Sequence, residues 1–65
     1  MAIIIQSRWD EAPEWRDEVW RHTQFEAYTA ARLKSRVTGR TYRLVDQNGE
    51  VIEVVRYQGV RRLRP

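Results

Sequence analysis

The chain has 65 residues and a mass of 7.9 kDa, which limits it to one small domain. With 42% hydrophobic and 32% charged residues, its composition is typical of a soluble globular chain and excludes a fully disordered one. The absence of cysteine excludes a disulfide framework and a cysteine-based zinc site. A core of this size supplies no more than about 3–5 kcal/mol, which favours oligomerisation or docking on a partner.

No apolar stretch approaches the roughly 18 residues that a membrane-spanning helix needs. The apolar start of the chain ends at Gln6 and is too short for the core of a signal peptide, so we expect a cytoplasmic protein without a membrane span. Eleven arginines stand against one lysine. This bias indicates a GC-rich genome or, alternatively, selection for guanidinium contacts. By analogy of composition, it favours a phage- or prophage-type protein.

The first predicted elements are a strand and a long helix. Residues 2–5 are a β-branched stretch that predicts a strand, and residues 6–12 have turn and cap chemistry. Residues 13–37 predict a helix, because proline suits its first turn, acidic side chains crowd its start and Gly39 follows its end. Its second half also alternates with period two, so a strand there remains an alternative. The predicted buried face of the helix comprises Trp15, Val19, Trp20, Thr23, Ala27, Ala30, Ala31, Leu33 and Val37.

Residues 40–57 predict a β-hairpin. A two-residue loop that pairs Gln47 with Glu50 would mix apolar and charged residues on both faces. A three-residue loop over residues 47–49 makes one face apolar and places Gly49 at the position that requires a positive φ. The pairs predicted by this register are Leu44 with Ile52, Tyr42 with Val54, Arg43 with Glu53 and Val45 with Val51.

Together these elements predict an α+β fold of order β-α-β-β, in which one long amphipathic helix packs on a short antiparallel sheet. Residues 1–65 form a single domain in this interpretation. Residues 59–65 add either a third piece of the meander or a loose basic tail.

Candidate catalytic chemistry is sparse. His22 has Glu18 and Glu26 four residues to either side, which on a helix indicates a solvated face rather than a metal site. Ser7 and Ser35 have no base nearby in the sequence to activate them, and no glycine-rich phosphate loop is present. We therefore expect no enzyme, with no catalytic residue, metal ligand, cofactor or small-molecule substrate.

Charge is distributed unevenly along the chain. Residues 1–31 contain three basic and six acidic residues, a sum of −3, whereas residues 32–65 contain nine basic and three acidic residues, a sum of +6. A basic half of this kind attracts phosphates, which makes nucleic-acid binding an alternative function. No helix-turn-helix spacing, zinc pattern or aromatic RNA-binding signature accompanies it. The residues that would carry this alternative are Arg40, Arg43, Arg56, Arg61, Arg62 and Arg64.

Aromatic residues favour a protein interface instead. Phe25 and Tyr28 fall on the polar face of the predicted helix beside Arg32 and Arg36, and tryptophan, tyrosine and arginine are typical anchors of interfaces. Trp9 joins these four as a candidate partner-binding residue. We predict a non-enzymatic protein-binding protein, which is either a homodimer or an accessory factor on a larger assembly. In the homodimer, the strand edge at residues 3–5 pairs across a two-fold axis. A minor structural component of a phage particle is a further alternative.

Overall fold

A computed structural model describes residues 2–9 and 12–56 of the chain. Strands β1 (Ile3–Arg8) and β2 (Arg16–Arg21) precede helix α1 (Gln24–Thr38), and strands β3 (Thr41–Val45) and β4 (Val51–Val55) follow it. The strands form one antiparallel sheet of order β2-β1-β3-β4, and the helix packs on one face of it. The predicted α+β class, a helix on an antiparallel sheet, is confirmed. The tail predicted at residues 59–65 lies outside the described residues.

Strand β1 lies in the middle of the sheet and has no free edge. It pairs with β2 on one side and with β3 on the other, and it continues through the residues predicted as a turn, Gln6 to Arg8. The prediction that residues 3–5 offer an edge for dimerisation is therefore wrong. The physical reason is that Ile3 and Ile5 are buried, and the backbone of a buried strand needs hydrogen-bond partners on both sides.

Strand β2 replaces the first half of the predicted helix. Residues 16–21 have helix-compatible composition, but they form the antiparallel partner of β1, with a bulge opposite Ile5 and Gln6. Of this strand, Val19 packs against the core, opposite Ile5. β1 needs a hydrogen-bonded partner along the edge that β3 does not cover. Pairing along that edge thus overrides the local helix preference of residues 16–21.

Helix α1 begins and ends at recognisable capping residues. Thr23 has an extended backbone, and its side-chain oxygen accepts a hydrogen bond from the Glu26 backbone N–H at 3.1 Å. At the other end Gly39, with φ 81°, donates its N–H to the Ser35 carbonyl at 2.8 Å. Residues 24–33 are helical, so the strand alternative for this segment is wrong.

The β3–β4 hairpin has the predicted loop but only part of the predicted register. Val45 pairs with Val51 as expected, and the loop spans three residues with Gly49 at φ 85°. Beyond Val45 a bulge shifts the pairing by one residue, so the other three predicted pairs are wrong; Leu44 pairs with Glu53, Arg43 with Val54 and Tyr42 with Val55. The shift lets both Ile52 and Val55 pack against the core, which a regular strand would not allow at a spacing of three.

Gly49 gives a first testable prediction. A Cβ at this position would meet no atom within 4 Å, so a substitution is strained by the positive φ alone. We expect Gly49→Val to lower the free energy of unfolding by more than about 1 kcal/mol, and Gly49→Asn to cost much less because asparagine tolerates this conformation. Urea denaturation followed by circular dichroism measures both. Equal losses for the two variants would contradict a cost that arises from φ.

The core lies between the inner face of α1 and one face of the sheet. Its buried residues come from β1, α1, β3 and β4 and are Ile3, Ile5, Ala27, Ala31, Tyr42, Leu44 and Val55. The helix contributes only alanines to this apolar cluster, together with the buried Ser35, whose hydroxyl donates to the Arg40 carbonyl at 3.0 Å. The larger apolar side chains of the helix therefore lie elsewhere.

Candidate protein interface

The outer face of α1 exposes three large apolar side chains among polar ones; it is formed by Phe25, Thr29, Leu33, Arg36 and Val37 together with Glu26 and Arg32. Phe25 is 78% exposed, Leu33 61% and Val37 77%. The inner face buries the small residues Ala27, Ala31 and Ser35. Apart from the half-buried Tyr28, this helix thus places small side chains against its own sheet, and its large apolar side chains Phe25, Leu33 and Val37 lie in solvent.

The geometry of the helix explains why these residues share one surface. At about 100° per residue, Thr29 and Leu33 lie on the side opposite the buried Ala31. Phe25 and Val37 continue the same row one turn further in each direction, since residues four apart are neighbours on a helix. The outer face therefore carries one row along the helix, in which the polar Thr29 separates Phe25 from Leu33 and Val37.

The structure places the predicted partner-binding residues in two regions. Phe25, Arg32 and Arg36 are exposed on the outer face, as expected. Tyr28 is half-buried against the core, and its hydroxyl accepts a hydrogen bond from Arg32 Nη1 at 3.4 Å. Trp9 is not on the helix; it follows β1, and the Arg40 guanidinium lies 4.9 Å from its ring centroid.

Leu33 and Val37 lie on the side of the helix opposite to the one that the sequence predicts. They were predicted to be buried, and both are exposed. The predicted face was oriented by Trp15, Val19 and Trp20, which are not in the helix at all. The signal that identifies the true boundary is Thr23 followed three residues later by Glu26, a spacing typical of a helix start.

The sheet face away from the helix carries a separate polar and aromatic cluster. Trp15 has the guanidinium carbons of Arg8 and Arg43 4.8 Å and 4.2 Å from its ring centroid. Arg43 Nε donates to Gln6 Oε1 at 2.7 Å, and Gln6 Nε2 donates to Asp17 Oδ1 at 2.8 Å. These contacts link side chains of β1, β2 and β3. Because the side chains bind one another, the cluster stabilises the sheet.

The arginines assigned to nucleic-acid binding do not form one surface among the described residues. Arg40 Nη1 donates to Glu18 Oε2 at 3.2 Å, where Glu18 also accepts from the buried Ser7 hydroxyl at 2.6 Å. Arg43 belongs to the cluster on the other side of the sheet, and Arg56 follows β4. Arg61, Arg62 and Arg64 lie outside the described residues.

The three residues considered as a metal patch lie on different elements. His22 precedes the helix, with its ring edge-on to Trp20 at 4.9 Å, whereas Glu18 is on β2 and Glu26 in the first turn of α1. The helical spacing on which that patch depended is wrong, because residues 18–22 are not helical. In the described part of the chain no group of three histidine, cysteine or acidic side chains is arranged to hold a metal ion.

Comparison with known proteins identifies no relative: no protein-family model, curated protein or solved structure matches this chain. Within residues 2–9 and 12–56, no helix has the length and apolar character needed to cross a membrane.

Proposed function

We propose that this protein is a small protein-binding protein whose interface is the outer face of α1. The observation that carries the proposal is the exposure of Phe25, Leu33 and Val37 on a helix whose buried side chains are small. Large apolar side chains gathered on one surface are typical of an interaction site, whereas single exposed ones need no explanation.

The charges around this row also support a protein partner. Arg32 and Arg36 flank the apolar side chains, and arginine contributes both stacking and ion pairs at interfaces. Phe25 is the aromatic residue of the face, and a rigid aromatic side chain that fills a pocket on a partner is a typical anchor. Arg40 and Arg43, by contrast, are engaged with Glu18 and Gln6 on opposite sides of the sheet, which favours a protein partner over a nucleic acid.

The test compares the native size of the protein in extracts of its source cells. We expect the unaltered chain to elute from a size-exclusion column in a complex larger than its own 7.9 kDa. The triple variant Phe25→Ser, Leu33→Ser, Val37→Ser should elute as a free monomer, because it removes the apolar row without touching the core. Circular dichroism checks that the variant retains its helix and sheet.

A matched control changes a half-exposed apolar surface elsewhere. Val51→Ser with Val54→Ser alters β4, where both side chains are 47% exposed, and should leave the complex intact. Loss of the complex in this control with retention in the helix variant would move the interface to the sheet edge. A native size unaffected by the helix variant contradicts the proposed function.

A further inference from the structure

From the charges beside the row of Phe25, Leu33 and Val37 we infer that the partner of the outer face is another protein, with an apolar groove whose rim is acidic on one side. The groove receives this row, and the acidic rim meets Arg32 and Arg36. This inference rests on the proposed function, because it names the chemistry of the partner for the same surface. A helix that lays its apolar side chains into a groove is a recurring mode of protein recognition.

The two arginines lie on one side of the row. Arg32 directly precedes Leu33 and Arg36 directly precedes Val37, so each is turned about 100° from its apolar neighbour in the same direction around the helix. Both side chains are exposed, and in the part of the chain that the structure describes neither guanidinium forms a salt bridge. Guanidinium groups bind carboxylates through paired, charge-assisted hydrogen bonds, which a partner with an acidic rim provides.

The opposite side of the row is not basic. Glu26 directly follows Phe25 and Lys34 directly follows Leu33, so both are turned the other way and their charges cancel. Basic side chains on one side alone favour a groove with one acidic rim. They do not favour an anionic membrane, because helices that lie on such membranes carry basic residues across their polar face.

A second copy of this chain offers no such rim. In an antiparallel two-fold pair the axis crosses both helices, so Arg32 and Arg36 of both copies come to the same side of the contact and repel one another. In a parallel pair, Lys34 of the second copy comes between the heights of Arg32 and Arg36, which repels as well. The charge pattern therefore favours a different protein.

The first test places a single reactive side-chain amine at a chosen point. The chain has one lysine, Lys34, so the variant Lys34→Arg with Arg36→Lys moves this amine to the arginine side of the row. A carbodiimide joins an amine to a carboxylate that it contacts directly. In extracts of the source cells it should link the variant to an aspartate or glutamate of another protein, located by peptide mass spectrometry. The unaltered chain is the matched control and should lose that product.

The second test measures binding strength. Size exclusion of a labelled chain in a dilution series of the extract gives the extract concentration at which half of the chain is in the complex. Arg32→Glu with Arg36→Glu should raise this concentration about tenfold or more, and Arg32→Lys with Arg36→Lys should raise it much less because the charge is kept. Arg16→Glu with Arg56→Glu reverses two exposed charges elsewhere and should leave it unchanged. Circular dichroism checks that each variant is folded.

Three results overturn the inference: equal cross-linking from positions 34 and 36, a cross-link to a second copy of this chain, or binding that is indifferent to the reversal of both helix arginines. Flotation of the purified chain with vesicles of phosphatidylcholine and phosphatidylserine also overturns it, if the Arg32→Glu with Arg36→Glu variant no longer floats. The proposed function fails separately, when the triple serine variant of the row keeps its native size.

Discussion

Leu44→Ala should leave a large fraction of the protein unfolded at room temperature. Leu44 is fully buried in the centre of the sheet, between β1 and β4 and beneath the helix. Truncating a buried leucine removes its transfer free energy and leaves a cavity, at a cost of about 2–5 kcal/mol. Because a domain of this size has a total stability of only about 3–5 kcal/mol, this single change consumes most of it.

The matched control is Leu33→Ala, which is the same chemical change on the outer face of α1. Since Leu33 is 61% exposed, the free energy of unfolding of the dilute monomer should change by no more than about 0.5 kcal/mol. Thermal melts at several protein concentrations measure both variants, and dilution separates a folding effect from an association effect. A loss of stability for Leu33→Ala as large as that for Leu44→Ala would mean that Leu33 belongs to the core.

Ala31→Leu should be the second most damaging change, although it adds apolar surface. Ala31 is fully buried where α1 packs on the sheet, against a core that contains Tyr42 and Leu44. A leucine there has no space unless the helix moves away from the sheet, and such overpacking costs about 1–3 kcal/mol. Urea denaturation should show a lower midpoint, and the helix should remain visible by circular dichroism below it.

Thr29→Leu is the corresponding control on the opposite side of the helix. Thr29 is exposed, so the larger side chain meets solvent and the free energy of unfolding of the dilute protein should stay within about 0.5 kcal/mol. The same variant lengthens the apolar row of the outer face. An unchanged midpoint for Ala31→Leu would contradict close packing of α1 on the sheet.

Some features of this fold could be predicted from the sequence and others could not. The structure confirms the predicted α+β class, the three-residue hairpin loop and the positive φ of Gly49. The loop and the φ value could be predicted because they depend only on neighbouring residues: a glycine at the end of a tight loop and β-branched residues on both sides of it. The exposure of Phe25 and Arg36 follows from helical periodicity and holds whether the helix begins at residue 13 or 24. Of the proposed interface, Phe25 and Arg36 were identifiable from the sequence, whereas Leu33 and Val37 were not.

The remaining features depend on contacts between segments distant in the chain. Residues 16–21 form a strand because the backbone groups along the second edge of β1 need hydrogen-bond partners. The six residues themselves contain no signal for this pairing. The bulge near Val51 exists because Ile52 and Val55 must both reach the core under α1.

The sequence by itself therefore determined the elements whose signals are local: the hairpin loop and the apolar character of the segment at residues 3–5. It favoured a helix over residues 24–37 but left a strand there as an alternative. The tertiary structure alone decided that β1 is central and that β2 exists. It also decided which side of α1 is buried, and so which apolar residues remain in solvent. The physical reason is that the helix packs close to the sheet through Ala27, Ala31 and Ser35, and this close packing turns its largest apolar side chains outward.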